Sequence, residues 1–220
     1  MWSLHRTVEP HKQRWMLFVD GAAVTCYGQA FARGHGLLLQ RGRYYMPDVF
    51  LWIPVTSATV SHPLTSAIAV APLWTSLQLP LQTHAVGANY YATVRDTDGA
   101  LLATREALWT LGFTPEIFPR PRRWSKAQRI EQALATDLRE NAVHDRYDVA
   151  LLVAADDGYI PAVEAIRQLG KQVYVGFFGA PSPELSSALR HAADGFVPID
   201  LVFLSVWTQY QAERGMSAPR

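Results

Sequence analysis

The chain reads as an α/β domain with a mainly parallel sheet covered on both faces. Three observations predict it. Trp15–Val19 and Val149–Ala155 are apolar runs of strand length; strands alternate with helices of ten or more residues downstream of Arg95; and an acid, Asp20 or Asp156, stands where each run ends. Strands buried on both faces have no solvated side, which is why such runs are continuous rather than alternating. At 220 residues, nearly half of them hydrophobic, the chain can fill one large core or one core with an insertion.

Residues 1–14 are a polar tail without the apolar core of a secretion signal, so export is not expected and a cytoplasmic location is. Trp15–Val19 is the first strand of a domain spanning 15–203. Residues 41–83 break the rhythm: Pro54-Val55-Thr56-Ser57-Ala58 is echoed by Pro63-Leu64-Thr65-Ser66-Ala67, too few copies for a solenoid. This stretch reads as an apolar insertion of short extended pieces between the first strand and a Tyr90-Tyr91 strand. No Asp, Glu, Lys or Arg lies between Asp48 and Arg95, but Pro54, Pro63, Pro72 and Pro80 interrupt the segment, so no membrane span is expected. Its lack of charge makes 49–94 a candidate contact surface for a second copy or another protein, the alternative being burial against its own domain.

Asp98–Leu111 has a helical apolar stripe ended by Gly112, and Phe113–Phe118 is a short strand. Ser125 caps a helix running through Ala142, with Ile130, Leu134, Leu138 and Ala142 four apart as the buried stripe. Strand Val149–Ala155 follows. Pro161 opens a helix that turns Val163, Ile166 and Leu169 inward and stops at Gly170. Lys171–Phe178 is a strand, Ser182–Ala192 a helix and Phe196–Phe203 a closing strand, with 204–220 a C-terminal tail.

Composition excludes several chemistries. The formal charge of +1 rules out a strongly basic coat while permitting a local phosphate-binding patch. A single cysteine, Cys26, allows no intrachain disulfide and reads as a small buried hydrophobe. No histidine spacing fits zinc, no Gly-rich loop follows the first strand, and neither Ser61-His62 nor Ser125 sits in a nucleophile elbow.

Asp20 and Asp156 carry the strongest signal. Open α/β proteins bind ligands beyond the C-terminal ends of their strands, and two acids delivered there repel unless a proton or cation lies between them. Each could instead be a strand-end turn residue. The basic run Arg120, Arg122, Arg123, Lys126 and Arg129, with Phe118 and Trp124 interleaved, pairs cations for a phosphate backbone with aromatics for stacking; it reads as an approach for single-stranded RNA or as a solvated loop.

The string Phe18-Val19-Asp20-Gly21-Ala22, then Ile130-Glu131-Gln132-Ala133-Leu134, then Val153-Ala154-Ala155-Asp156-Asp157-Gly158-Tyr159, then Ala193-Asp194-Gly195-Phe196, resembles the NYN domain in order and spacing. That family is a PIN-like group of predicted metal-dependent ribonucleases. The resemblance implies a Rossmann-like, PIN-like three-layer fold and a hard-cation site, Mg²⁺ or Mn²⁺, formed by Asp20, Glu131 and Asp156 with Asp194 as a further ligand. It also implies an RNA substrate, for which the basic run offers Arg122, Arg123, Trp124, Lys126 and Arg129 as the expected contacts. Asp137 and Asp157 are possible auxiliary acids. The chain departs from the family pattern at Ala23, where an asparagine is usual, at Glu131, where an aspartate is usual, and in Ala154-Ala155-Asp156-Asp157-Gly158, where the pattern is Ser-Gly-Asp-x-Asp. The competing reading is a catalytically degenerate relative that binds RNA or protein.

Overall fold

In the computed structural model, the described residues are 13–36, 45–46, 49–50, 84–95, 99–110, 113–120, 128–179, 185–200 and 204. Strand β1 (Arg14–Asp20) lies at the centre, paired in parallel with β4 (His84–Arg95) on one side and β6 (Val149–Val153) on the other. Outward from β4 lies β5 (Thr114–Arg120); outward from β6 lie β7 (Gln172–Phe177) and β8 (Gly195–Pro198). Every pairing in this six-stranded sheet is parallel. A separate two-stranded antiparallel ribbon, β2 (Tyr45–Met46) with β3 (Val49–Phe50), is what the described residues show of the predicted insertion; the remainder of 41–83 lies outside them.

Alternation along β1 divides the core. Trp15, Leu17 and Val19 face one layer with Val24 and Ala32 of α1 (Gly21–Gly34) and Leu108 of α2 (Ala100–Thr110). Met16 and Phe18 face the other, with the Ile130, Leu134, Leu138 and Ala142 stripe of α3 (Gln128–Val143) and with Val163 and Ile166 of α4 (Ile160–Gln168). The short α5 (Ser187–Ala192) adds Leu189 to that second layer. The result is the three-layer, mainly parallel fold that the apolar runs predict.

Four sequence expectations change. Helix α1 was not expected: its buried positions Gly21, Val24, Thr25, Gly28 and Ala32 keep helical spacing, but small and polar residues at most of them leave no apolar stripe like that of α3. Cys26 is exposed on α1 rather than buried. Leu169 is 51% exposed, because α4 ends at Gln168 and residue 169 already belongs to the cap. The closing strand expected over Phe196–Phe203 is Gly195–Pro198, since the chain leaves the sheet at Ile199 and is helical at Asp200.

Candidate active site at the switch point

Ignoring the small ribbon, the sheet order β5-β4-β1-β6-β7-β8 runs outward in sequence on both sides of β1, so the crossover direction reverses between β1 and β6. That reversal opens a crevice beyond the strand ends, the usual ligand position in such sheets. Val19 pairs with Val153, so Asp20 closes β1 beside the end of β6, and Asp156 follows three residues past Val153.

Asp20 is buried, at 6% exposure, and caps α1: its Oδ1 accepts from the backbone N–H of Ala22 and of Ala23, both at 3.0 Å. Its Oδ2 accepts from the Tyr159 hydroxyl at 2.8 Å. Burial pushes the carboxyl above the ordinary aspartate range, the Asp156 charge pushes the same way, and the three hydrogen bonds oppose both. No cation figures among the influences on it within the described residues.

Asp156 caps a single 3-10 turn, Asp157–Tyr159, its Oδ1 accepting from the Gly158 N–H at 2.9 Å. The turn carries Tyr159 back under the acids, three residues on. Burial raises the Tyr159 hydroxyl well above its ordinary value, and the charges of Asp20, Glu131 and Asp156 raise it further. Three of the predicted site acids therefore act on one phenol, Asp20 through a hydrogen bond and the other two through their charge. Glu131, on the first turn of α3, reaches this turn from above: a Cβ built on Gly158 would stand 2.6 Å from its Cδ.

Asp194 is a correction. It precedes β8, at the N-terminal edge of the sheet, where its Oδ2 accepts from the Val173 N–H at 2.8 Å and its Oδ1 pairs with Arg167 at 2.9 Å. Parallel strands put their starts at one edge and their ends at the other, so an acid leading into β8 stands at the edge opposite Asp20. It joins the same rim as Arg14, which pairs with Asp148 at 2.8 Å.

Asp137 is also displaced from the cluster. It accepts from the Tyr91 hydroxyl at 2.6 Å, over β4, and raises the carboxyl of Glu116 on β5, whose own partial burial is the larger cause. Asp157 is exposed, and no hydrogen bond among the described residues ties it to Asp20 or Glu131. Arg129 is exposed and, two positions before Glu131, projects about 200° around the helix from it. Arg122, Arg123, Trp124 and Lys126 lie outside the described residues. Tyr159 is the residue that the sequence reading passed over, although its spacing of three from Asp156 marks a one-turn return.

The donors at the crevice are hard carboxylate oxygens, which fits Mg²⁺ or Mn²⁺ better than a softer metal. A buried carboxyl next to a second acid, with no basic neighbour among the described residues, is the electrostatic situation that a divalent cation relieves. Among the described residues, which include Asp20, Glu131 and Asp156, no three His, Cys, Asp or Glu side chains are grouped so that they could hold a metal ion together. The fit is thus to a cation held by one or two carboxylates and completed by water and phosphate oxygens.

Residues 53–200 match the family model described as the NYN domain. The chain belongs to the NYN domain family. This is a PIN-like nuclease family, and the NYN match contains Glu131 and Asp156 but starts downstream of β1, so Asp20 enters the site through sheet pairing. In fold, the NYN chain is similar to a crystal structure of a protein of unknown function from Vibrio parahaemolyticus. The two share 20% identity and a TM-score of 0.52, over 87% of this chain and 95% of that one. A weaker likeness, TM-score 0.23 and 14% identity over 96% of this chain and 30% of the other, is to RecJ in complex with Mn²⁺ from Thermus thermophilus, and it carries no argument. No curated protein matches the chain significantly. No helix among the described residues is long and apolar enough to cross a membrane.

Proposed function

We propose that this NYN domain is a metal-dependent endoribonuclease whose reacting centre is the crevice between β1 and β6. The observation that carries the reading is the buried Asp20 carboxyl beside Asp156, without a basic partner among the described residues. Asp20 and Asp156 would hold Mg²⁺ or Mn²⁺ with Glu131 beside them, and the cation would supply Lewis-acid stabilisation of phosphate charge and an acidified water. The chain's own contribution is position. The α1 backbone and Tyr159 hold both Asp20 oxygens in place, while the Gly158 N–H holds one oxygen of Asp156. Groups fixed before substrate arrives need no reorganisation during reaction. In sequence, Arg122, Arg123, Trp124, Lys126 and Arg129 come shortly before Glu131, and their charges and indole suit a single-stranded RNA backbone and base, with Arg129 on the helix face away from Glu131.

The test is cleavage of single-stranded RNA by purified protein in Mn²⁺, against Asp20→Asn and Asp156→Asn. Loss in both variants supports the reading; cleavage equal to wild type in both removes it. The lack of a three-acid cage among the described residues favours a second reading, a degenerate module that binds RNA without cutting it. That module would retain RNA affinity with no turnover and no Mn²⁺-dependent rise in melting temperature.

A further inference from the structure

We infer that Gly158 is a positioning residue: its missing side chain is the seat that holds the Glu131 carboxylate against the turn from Asp156 to Tyr159. The inference rests on the reading of this cluster as a cation site. A Cβ at 158 would stand 2.6 Å from Cδ of Glu131, 3.1 Å from Oε2 and closer still to Oε1, all inside contact distance. The backbone gives no other reason for glycine. Gly158 is absent from the positive-φ glycines, which are Gly36, Gly99 and Gly170 among the described residues. What a side chain at 158 would meet is therefore Glu131, and the obstacle is the mobile end of a side chain rather than a fixed backbone. Any larger residue swings the carboxylate away and leaves the fold standing.

The contact also joins two departures noted in the sequence. The volume given up at 158 is taken by the carboxylate that the longer side chain at 131 carries, so α3 delivers one acid onto the 3-10 turn. An aspartate at 131 would withdraw from the seat by about one carbon–carbon bond, roughly 1.5 Å.

The experiment is a double-mutant cycle on the full chain, with Gly158→Ala, Glu131→Gln and the pair, reading Mn²⁺ affinity by calorimetry and RNA cleavage alongside it. Gly158→Ala is expected to weaken Mn²⁺ binding about tenfold, Glu131→Gln by a similar factor, and the pair no more than either alone, because both remove the same carboxylate. Melting temperature without metal should stay within a few degrees of wild type. Wild-type affinity in Gly158→Ala, or additive losses in the pair, overturns the seat while leaving the cation reading intact. A wild-type protein that binds no Mn²⁺ overturns both. Should Gly158→Ala fail to fold, adding Glu131→Asp must restore folding by making room for the new methyl group; failure to do so also overturns the inference.

Discussion

The Tyr159 hydroxyl donates a 2.8 Å hydrogen bond to Oδ2 of Asp20, tying the turn after β6 to the end of β1 across 139 positions of sequence. Both groups are buried, so neither has water to fall back on. The bond sets the orientation of the acid on which the site depends.

Tyr159→Phe removes that donor and leaves Oδ2 of Asp20 short of a partner. The expected loss is about 1–3 kcal/mol in urea unfolding, the cost of an unsatisfied buried acceptor. The Asp20 carboxyl should also move further up, since the lost bond is one of those holding it down. An unchanged midpoint would show that the bond contributes nothing.

Asp20 should make the metal-free protein less stable as pH rises. Its folded-state pKa lies above the unfolded value of about 3.9, so folding takes up a proton and stability falls through the window between the two. Asp20→Asn keeps the helix cap and removes the titration. Its melting temperature relative to wild type should therefore rise with pH from about 4 and level off above the raised pKa. A flat or falling difference contradicts the burial argument.

The rim at the other edge should respond to pH in the opposite sense. Hydrogen bonds from Arg14 hold Asp148 below the aspartate range, and those from Lys171 and Arg14 do the same for Asp145. Stability from these groups is present above pH ~4 and is lost as pH falls through their depressed values. Arg14→Ala should flatten the acid limb of a stability–pH curve; an acid limb as steep as wild type would assign the acid sensitivity elsewhere.

Much of this arrangement is legible in sequence, for a physical reason. Strands buried on both faces must be apolar throughout, so Val149–Val153 announces itself, and an acid terminating such a run has few places to go except the sheet edge. The α3 stripe at Ile130, Leu134 and Leu138 is equally direct. The edge that a late acid reaches follows from strand order as well: Phe196–Phe203 reads as a strand after Asp194, and the family resemblance, not the pattern, drew that acid into the site. Asp194 resembles Asp20 in its neighbours, but it precedes its strand rather than following one, and Arg167, 27 residues away, neutralises it. What a one-dimensional pattern cannot show is that Gly158 lies under Glu131, a contact made by the packing of α3 on the turn.

Asp194→Asn separates the two edges. It weakens the Arg167 pair, which is partly exposed and worth up to about 1 kcal/mol, and should leave Mn²⁺-dependent cleavage at the wild-type rate. A variant that folds normally but loses metal dependence would restore Asp194 to the site.

The most direct measurement is a crystal of the full chain soaked in Mn²⁺, with anomalous differences recorded at the manganese edge. The account predicts one strong peak between the carboxylates of Asp20 and Asp156, close to Glu131, and none there in an Asp20→Asn crystal. No peak between them, or manganese held only at the opposite rim by Asp145, Asp148 or Asp194, would contradict it.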